Sequence, residues 1–290
     1  MRAAAIDIGS NSVRLLIVED DVELHRSAVV TGLGRGVSQS GLLSDSAVDE
    51  TIEVLEGFGG RMDDAAVEAA DAVATAAARA AGNTAAFLDA AEQVLGFRPR
   101  VISGLSEARL SFVGATSDLE GEAWQVVDIG GASTECVGGV GEGLSLDVGS
   151  VSLTDRFLGD RPLDPGRLDA ARRYVADIVG TVGSTALSVV GVAGTWTSLA
   201  GLILGSNHPS AIHHTEIGRA DLERLLDRLA ALSVEETAAL PGLDPARAPV
   251  ILGGAIVAAV CLDTLHADHA VVSVHDLLDG LIAEILNRPR

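Results

Sequence analysis

The sequence predicts an α/β protein of two duplicated lobes around a central cleft, and three observations carry that prediction. First, 290 residues are too many for one small domain and about right for two of ordinary size. Second, Asp7-Ile8-Gly9-Ser10 and Asp128-Ile129-Gly130-Gly131 each end an apolar run and lead through small polar residues into a return run. Their offset, 128 − 7 = 121 positions, is the length of a domain rather than of a solenoid repeat. Third, 48% of the residues are hydrophobic but only 3% are aromatic, so the cores are Ala, Val, Leu and Ile packed between helices and sheets. Ser, Asp, Glu and Gly cluster near Ser117–Gly121, which places the seam between lobes 1–118 and 119–290, with the last helix free to pack back toward the first lobe.

The elements follow in order. Residues 3–8 and 13–18 are apolar runs separated by Gly9-Ser10-Asn11-Ser12, the pattern of a hairpin, and a third strand is expected over 24–31. Val48, Ile52, Leu55 and Phe58 recur at helical spacing over 45–58. A short buried strand at 71–75, an amphipathic helix at 84–95, a strand at 99–103 and a helix through Glu107 and Leu110 complete the first lobe. The pattern then restarts: a strand at 124–129, a return strand at 135–138, a third near 144–148 and a helix over 165–182. A strand at 188–192 follows, then a helix from Thr195, helices over 220–232 and 247–265, a strand at 270–274 and a final helix at 277–287.

Charge and composition exclude several functions. Twenty basic against 41 acidic residues leave −21, and every basic residue is Arg. Without Lys there is neither a Schiff base nor a P-loop of the Gly-Lys-Ser/Thr type. The acidity argues against nucleic-acid binding, which needs a basic footprint. Cys136 and Cys261 form no disulfide framework, and the N-terminus does not read as a signal peptide, so a cytoplasmic protein is expected. Residues 178–215 hold no Asp, Glu, Lys or Arg, but glycines and hydroxyl residues break the run; a buried strand, turn and helix are expected rather than a membrane span. His208, His213 and His214 cluster without metal spacing or a nearby cysteine, so a zinc site is not expected there.

Three motifs carry chemistry. In Asp7-x-Gly9-Ser10-Asn11-Ser12 a turn of small residues exposes backbone N–H groups able to cradle phosphate oxygens, and the carboxylate before it can hold Mg²⁺. Alone this is equally an ordinary hairpin. Asp128-x-Gly130-Gly131-Ala132-Ser133-Thr134-Glu135 has the same logic, and the two together point to one polyphosphate cradled from both sides. Gly191-Val192-Ala193-Gly194-Thr195 follows a buried strand and opens a helix, where Gly194 and Thr195 either approach phosphate or simply cap the helix.

These motifs, in this order, resemble the exopolyphosphatase/guanosine pentaphosphate phosphatase (Ppx/GppA) family in its short two-domain form, over essentially the whole chain. The resemblance implies two actin-like lobes of the ribonuclease H-like kind shared by sugar kinases, heat-shock chaperones and actin. It implies that Glu107, in Ser103-Gly104-Leu105-Ser106-Glu107-Ala108-Arg109, is the catalytic glutamate, which would orient and deprotonate the attacking water. Glu135 is implied as a second catalytic acid, Asp7 and Asp128 as Mg²⁺ ligands, and Arg14, Thr75, Arg79 and Asn83 as cleft-lining residues. The phosphate-binding set is then Gly9, Ser10, Asn11, Ser12, Arg79, Gly130, Gly131, Ala132, Ser133, Thr134, Gly194 and Thr195.

The implied activity is Mg²⁺-dependent release of terminal orthophosphate from inorganic polyphosphate. The alternatives are removal of the 5′-phosphate of guanosine pentaphosphate, and a non-catalytic switch that binds a phosphorylated ligand. A kinase of the same superfamily would need an acceptor-base Asp and a second pocket, for which there is no signature. The departures from the family pattern are Leu105 and Ser106 where relatives often carry acids, Ala132 for a third glycine, and Leu278 where the C-terminal loop usually has Arg. The apolar content is enough to supply a homodimer surface; no membrane partner is expected.

Overall fold

The computed structural model describes every residue except 21, 122, 139–142, 160, 183–187, 289 and 290. It divides into two compact units, Met1–Gly114 with Leu277–Arg290, and Ala115–Asp276.

In the first unit, β1 (Arg2–Ile8), β2 (Ser12–Glu19), β3 (Val22–Val30), β4 (Ala69–Ala74) and β5 (Arg100–Val101) form one sheet in the order β3-β2-β1-β4-β5. β1 is antiparallel to β2 and parallel to β4. Being central, β1 is buried on both faces, and this is why residues 3–8 read as an apolar run with Asp7 as the one exception. Ala4, Ile6 and Ile8 face a core closed by α1 (Asp45–Asp64) and α2 (Thr84–Leu95), through Leu55, Phe58, Phe87 and Ala91. Ser44 caps α1 by accepting from the Ala47 amide, and Gly96, at φ 79°, ends α2 in the left-handed conformation. Ala3 and Ala5 face a second, smaller core. α3 (Gly104–Ala115) follows β5.

In the second unit, β6 (Trp124–Ile129), β7 (Thr134–Gly138), β8 (Gly143–Leu146), β9 (Ser188–Val192), β10 (Glu216–Gly218) and β11 (His269–Val272) form a sheet in the order β10-β11-β9-β6-β7-β8. β6 is antiparallel to β7 and parallel to β9. The helices are α4 (Pro165–Val179), α5 (Ala193–Leu204), α6 (Arg219–Ala231) and α7 (Ile251–Thr264). Residues 251–262 of α7 are all buried, so its apolar periodicity is lost and the helix is the spine of the core rather than one of its faces. The expected helix over 247–265 is a 3₁₀ turn at 245–247 followed by α7. The short helices at 37–40, 76–80, 150–153, 209–212 and 234–238 were not expected; one turn is too short to show a period.

The echo in the sequence is therefore an echo in topology. Strands β1, β2, β3 and β4 of the first sheet correspond to β6, β7, β8 and β9 of the second, with the same antiparallel hairpin and the same parallel neighbour. The last helix, α8 (Leu277–Leu286), belongs to the first unit, where Leu277, Leu278, Leu281 and Ile285 pack against Ala3, Ala5 and Val73. A Cβ on Gly280 would overlap the Leu110 carbonyl, so α8 and α3 touch backbone to backbone. Among the described residues no helix is long and apolar enough to cross a membrane; the uncharged stretch 178–215 contains β9 and α5, while its residues 183–187 lie outside the description.

Candidate active site

The two aspartate-headed turns close on the same hydrogen bond: the Gly9 amide donates to the Ser12 carbonyl at 3.0 Å, and the Gly130 amide to the Ser133 carbonyl at 3.0 Å. In the first unit the turn's carbonyls are tied down. Ser10 accepts from the Gly34 amide, and Asn11 from the amides of Thr31 and Gly32. The Ser10 hydroxyl accepts from the Ala77 amide at 3.1 Å, which leaves its own proton to donate to an anion. In the second unit the Gly130 carbonyl accepts from the Ser150 amide, and the Gly131 carbonyl from those of Val151 and Ser152. The helix start at 150–153 is held there because Gly149 has no side chain; a Cβ would collide with the carbonyls of Gly130 and Gly131. Gly149 was missed in the sequence, where only a Gly-Ser pair marked it.

The head carboxylates sit at equivalent register positions with opposite partners. Asp7 lies across the β1–β2 ladder from Arg14, whose Nε and Nη2 donate to Oδ2 at 2.9 and 2.5 Å. Asp128 lies across the β6–β7 ladder from Glu135. Asp128 is 5% exposed and Glu135 is fully buried, and Ser145 Oγ donates to Glu135 Oε1 at 2.6 Å. One site is thus an internally neutralised ion pair. The other sets two acids side by side, which favours a cation. Hard oxygen donors set side by side fit Mg²⁺; the arginine already on Asp7 makes it the poorer metal ligand.

Glu107 stands in the first turn of α3, 7% exposed, so it does not lie on an outer surface. Arg79 Nη1 donates to Glu107 Oε2 at 2.6 Å and to the Ile102 carbonyl at 3.0 Å. The same guanidinium therefore fixes the carboxylate and the chain leading into its helix. The Ser103 hydroxyl accepts from the Ser106 amide, starting α3.

Several residues of the sequence-derived set also make structural contacts. Thr134 is fully buried and its hydroxyl donates to the Val148 carbonyl at 2.6 Å. Thr195 lies inside the first turn of α5, whose N-cap is Val192, and donates to the Ile129 carbonyl at 2.9 Å; it is no cap, but a tie between the third motif and the second. Gly191 makes room for the Trp196 ring and Gly194 for the Arg247 guanidinium. Arg247 is a cation beside the third motif that nothing in the local sequence announced. Asn83 spends its amide on the backbone of Leu43, donating to the carbonyl and accepting from the amide, each at 2.9 Å. Thr75 is buried, its carbonyl accepting from the Arg79 amide. Ala132 accepts through its carbonyl from Ser152 Oγ at 3.2 Å. Leu278 is 1% exposed in the core under α8, where a guanidinium would be stranded. Cys136, opposite in alternation to Glu135, is buried, and its hydrogen bond with Cys261 and then its burial push the thiol well above its ordinary range.

Two α/β units with the same strand topology, each with a glycine turn headed by an aspartate, define the class of two-lobe, actin-like α/β proteins. Within that class, residues 16–289 match the Ppx/GppA phosphatase family, and the chain belongs to it. It is thereby a hydrolase of the class that acts on phosphoric anhydrides. It is 36% identical to Exopolyphosphatase 2 of Mycobacterium tuberculosis, over 97% of each chain. It is 31% identical to guanosine-5′-triphosphate,3′-diphosphate pyrophosphatase of Vibrio campbellii, covering 99% of this chain but 60% of that enzyme. The crystal structure of the Aquifex aeolicus Ppx/GppA family member superposes with a TM-score of 0.83 at 31% identity, over 100% of this chain and 99% of the other.

Proposed function

We propose that the chain is a Mg²⁺-dependent exopolyphosphatase that releases terminal orthophosphate from inorganic polyphosphate, with Glu107 as general base. The observation that favours polyphosphate over guanosine pentaphosphate is the higher identity, 36% to the mycobacterial exopolyphosphatase against 31% to the Vibrio nucleotide enzyme. In this reading Glu107 takes a proton from water, the water oxygen bonds to the terminal phosphorus, and the bridging P–O bond breaks. The electron pair leaves on the shortened chain. Arg79 positions Glu107 through its 2.6 Å bond. The backbone amides of each aspartate-headed turn, Gly9–Ser12 in the first unit and Gly130–Ser133 in the second, are suited to phosphate oxygens in a chain with no lysine. Asp128 and Glu135 would hold the cation, and Asp7 is paired with Arg14. Mg²⁺, when bound, offsets charge on the phosphate oxygens. The buried cysteines, held as thiols, fit a reducing cytoplasm.

The test is phosphate release from short polyphosphate, long polyphosphate, guanosine pentaphosphate and ATP, with and without Mg²⁺. Release in water, strongest on polyphosphate and lost with chelator, is the expected result. Preference for the nucleotide would replace the substrate and keep the chemistry; no release from any substrate would leave a phosphate-binding switch.

A further inference from the structure

The second unit carries a cluster that the proposed reaction does not use. Asp118, His213 and His275 each offer a ligand atom, and these atoms lie within 4.8 Å of one another. Asp118 Oδ2 is the focus: His213 Nε2 stands 2.7 Å from it, His275 Nδ1 3.5 Å and His214 Nε2 3.5 Å. The His213 ring stacks on His214 at 3.8 Å between centroids and lies 5.0 Å from His275. His275 Nδ1 is buried and has no hydrogen-bond partner, an atom that costs free energy unless something occupies it.

We propose that Asp118, His213 and His275 form a binding site for a divalent transition metal of the zinc or cobalt kind, separate from the phosphohydrolase centre. Two imidazoles and one carboxylate are the donor set such ions select, with the remaining position left to His214 or water. A cation at the centre would satisfy at once the carboxylate oxygen that three rings crowd and the stranded His275 nitrogen. The cost is local: the metal replaces the Nε2 proton, so His213 gives up the long 3.3 Å bond that its Nδ1 accepts from the Val274 amide. The ligand atoms must also shift, because donors on one such ion sit about 3.4 Å apart at bond lengths near 2.1 Å, so Asp118 Oδ2 and His213 Nε2, now 2.7 Å apart, must open. The overall charge of −21 favours any cation. Asp118 follows closely on the chain's first passage between units, at 114/115, and His275 immediately precedes the second, at 276/277. A bound ion would therefore pin together the two segments of the second unit at which the chain enters and leaves it.

The experiment uses the full chain without an affinity tag, stripped of metal and titrated with Co²⁺ followed by Zn²⁺. Expected are about one Co²⁺ per chain with a visible ligand-field band of low-symmetry nitrogen ligation, displaced by Zn²⁺ but not by millimolar Mg²⁺. X-ray absorption at the cobalt edge on the unaltered chain should count two imidazoles, or three where His214 takes the remaining position. His213→Ala and His275→Ala should each weaken Zn²⁺ binding by at least about tenfold, the scale that even supporting residues of metal sites reach. His208→Ala, whose ring bonds to Ser210 outside the cluster, should not. Far-UV circular dichroism checks each fold, with His275→Gln as the replacement should the alanine variant not fold. The proposal is overturned by absence of the band at tenfold excess Co²⁺, by an all-oxygen spectrum, or by folded histidine variants that bind like the parent.

Discussion

Glu107→Gln separates chemistry from folding, because the structure makes the two costs unequal. The amide keeps an oxygen for Arg79, so the bond now 2.6 Å long survives as a neutral-acceptor bond. Bonds to charged groups contribute about 1.5–3 kcal/mol and neutral ones about 0.5–1.5, so the expected stability loss is about 1 kcal/mol. In a chain of this size that lowers Tm by about 2–4 °C. A Gln cannot accept a proton from water at neutral pH. Removing a general base costs about 10²–10⁴ in rate, or roughly 2.7–5.4 kcal/mol of barrier. Phosphate release from polyphosphate should therefore fall at least about 10²-fold while melting and the circular dichroism spectrum barely move. Near-normal turnover would remove Glu107 from the mechanism. A fall in rate matched by a collapse in Tm would show that the residue is only the buried end of an ion pair.

Leu278→Arg, which introduces the residue expected from the family resemblance, should lose about 3 kcal/mol or more in urea unfolding, because it buries an unpaired guanidinium under α8; a neutral result would mean that α8 packs otherwise. Asn83→Ala should cost about 1–3 kcal/mol through its two lost bonds to Leu43 while leaving kcat within about twofold. A large loss of rate without loss of stability would return Asn83 to the substrate. The raised Cys136 thiol stays protonated in the folded chain where the unfolded chain ionises. Its contribution to stability is complete below pH 9.0 and is lost as the pH rises beyond it. Native protein should resist a thiol reagent at pH 8 and react on unfolding, and Cys136→Ala should flatten the alkaline slope of stability; prompt labelling of the native chain would refute this.

Long periodic elements were legible because their signal is local. The hairpins, β9 at 188–192 and α2 at 84–95 are read from alternation or helical spacing within a dozen residues. The short helices carry no such period, and α7 loses its own because it is buried all round. The candidate site was legible as far as its turns and Glu107, since turn chemistry and the family resemblance both act through contiguous residues. The acceptors of the Thr134 and Thr195 hydroxyls, the Val148 and Ile129 carbonyls, were not legible, because each lies elsewhere along the chain.

By itself the sequence determined the duplicated plan, the aspartate-headed turns and the lysine-free, acidic character of the chain, all of them properties of order and composition. Only the tertiary structure decided which aspartate faces an arginine and which a glutamate, because cross-strand register pairs residues that no spacing rule connects. It also decided that Arg79 holds Glu107, that Leu278 is core, and that Asp118 and His275 meet His213. Such contacts join residues far apart along the chain, and packing rather than local preference brings them together.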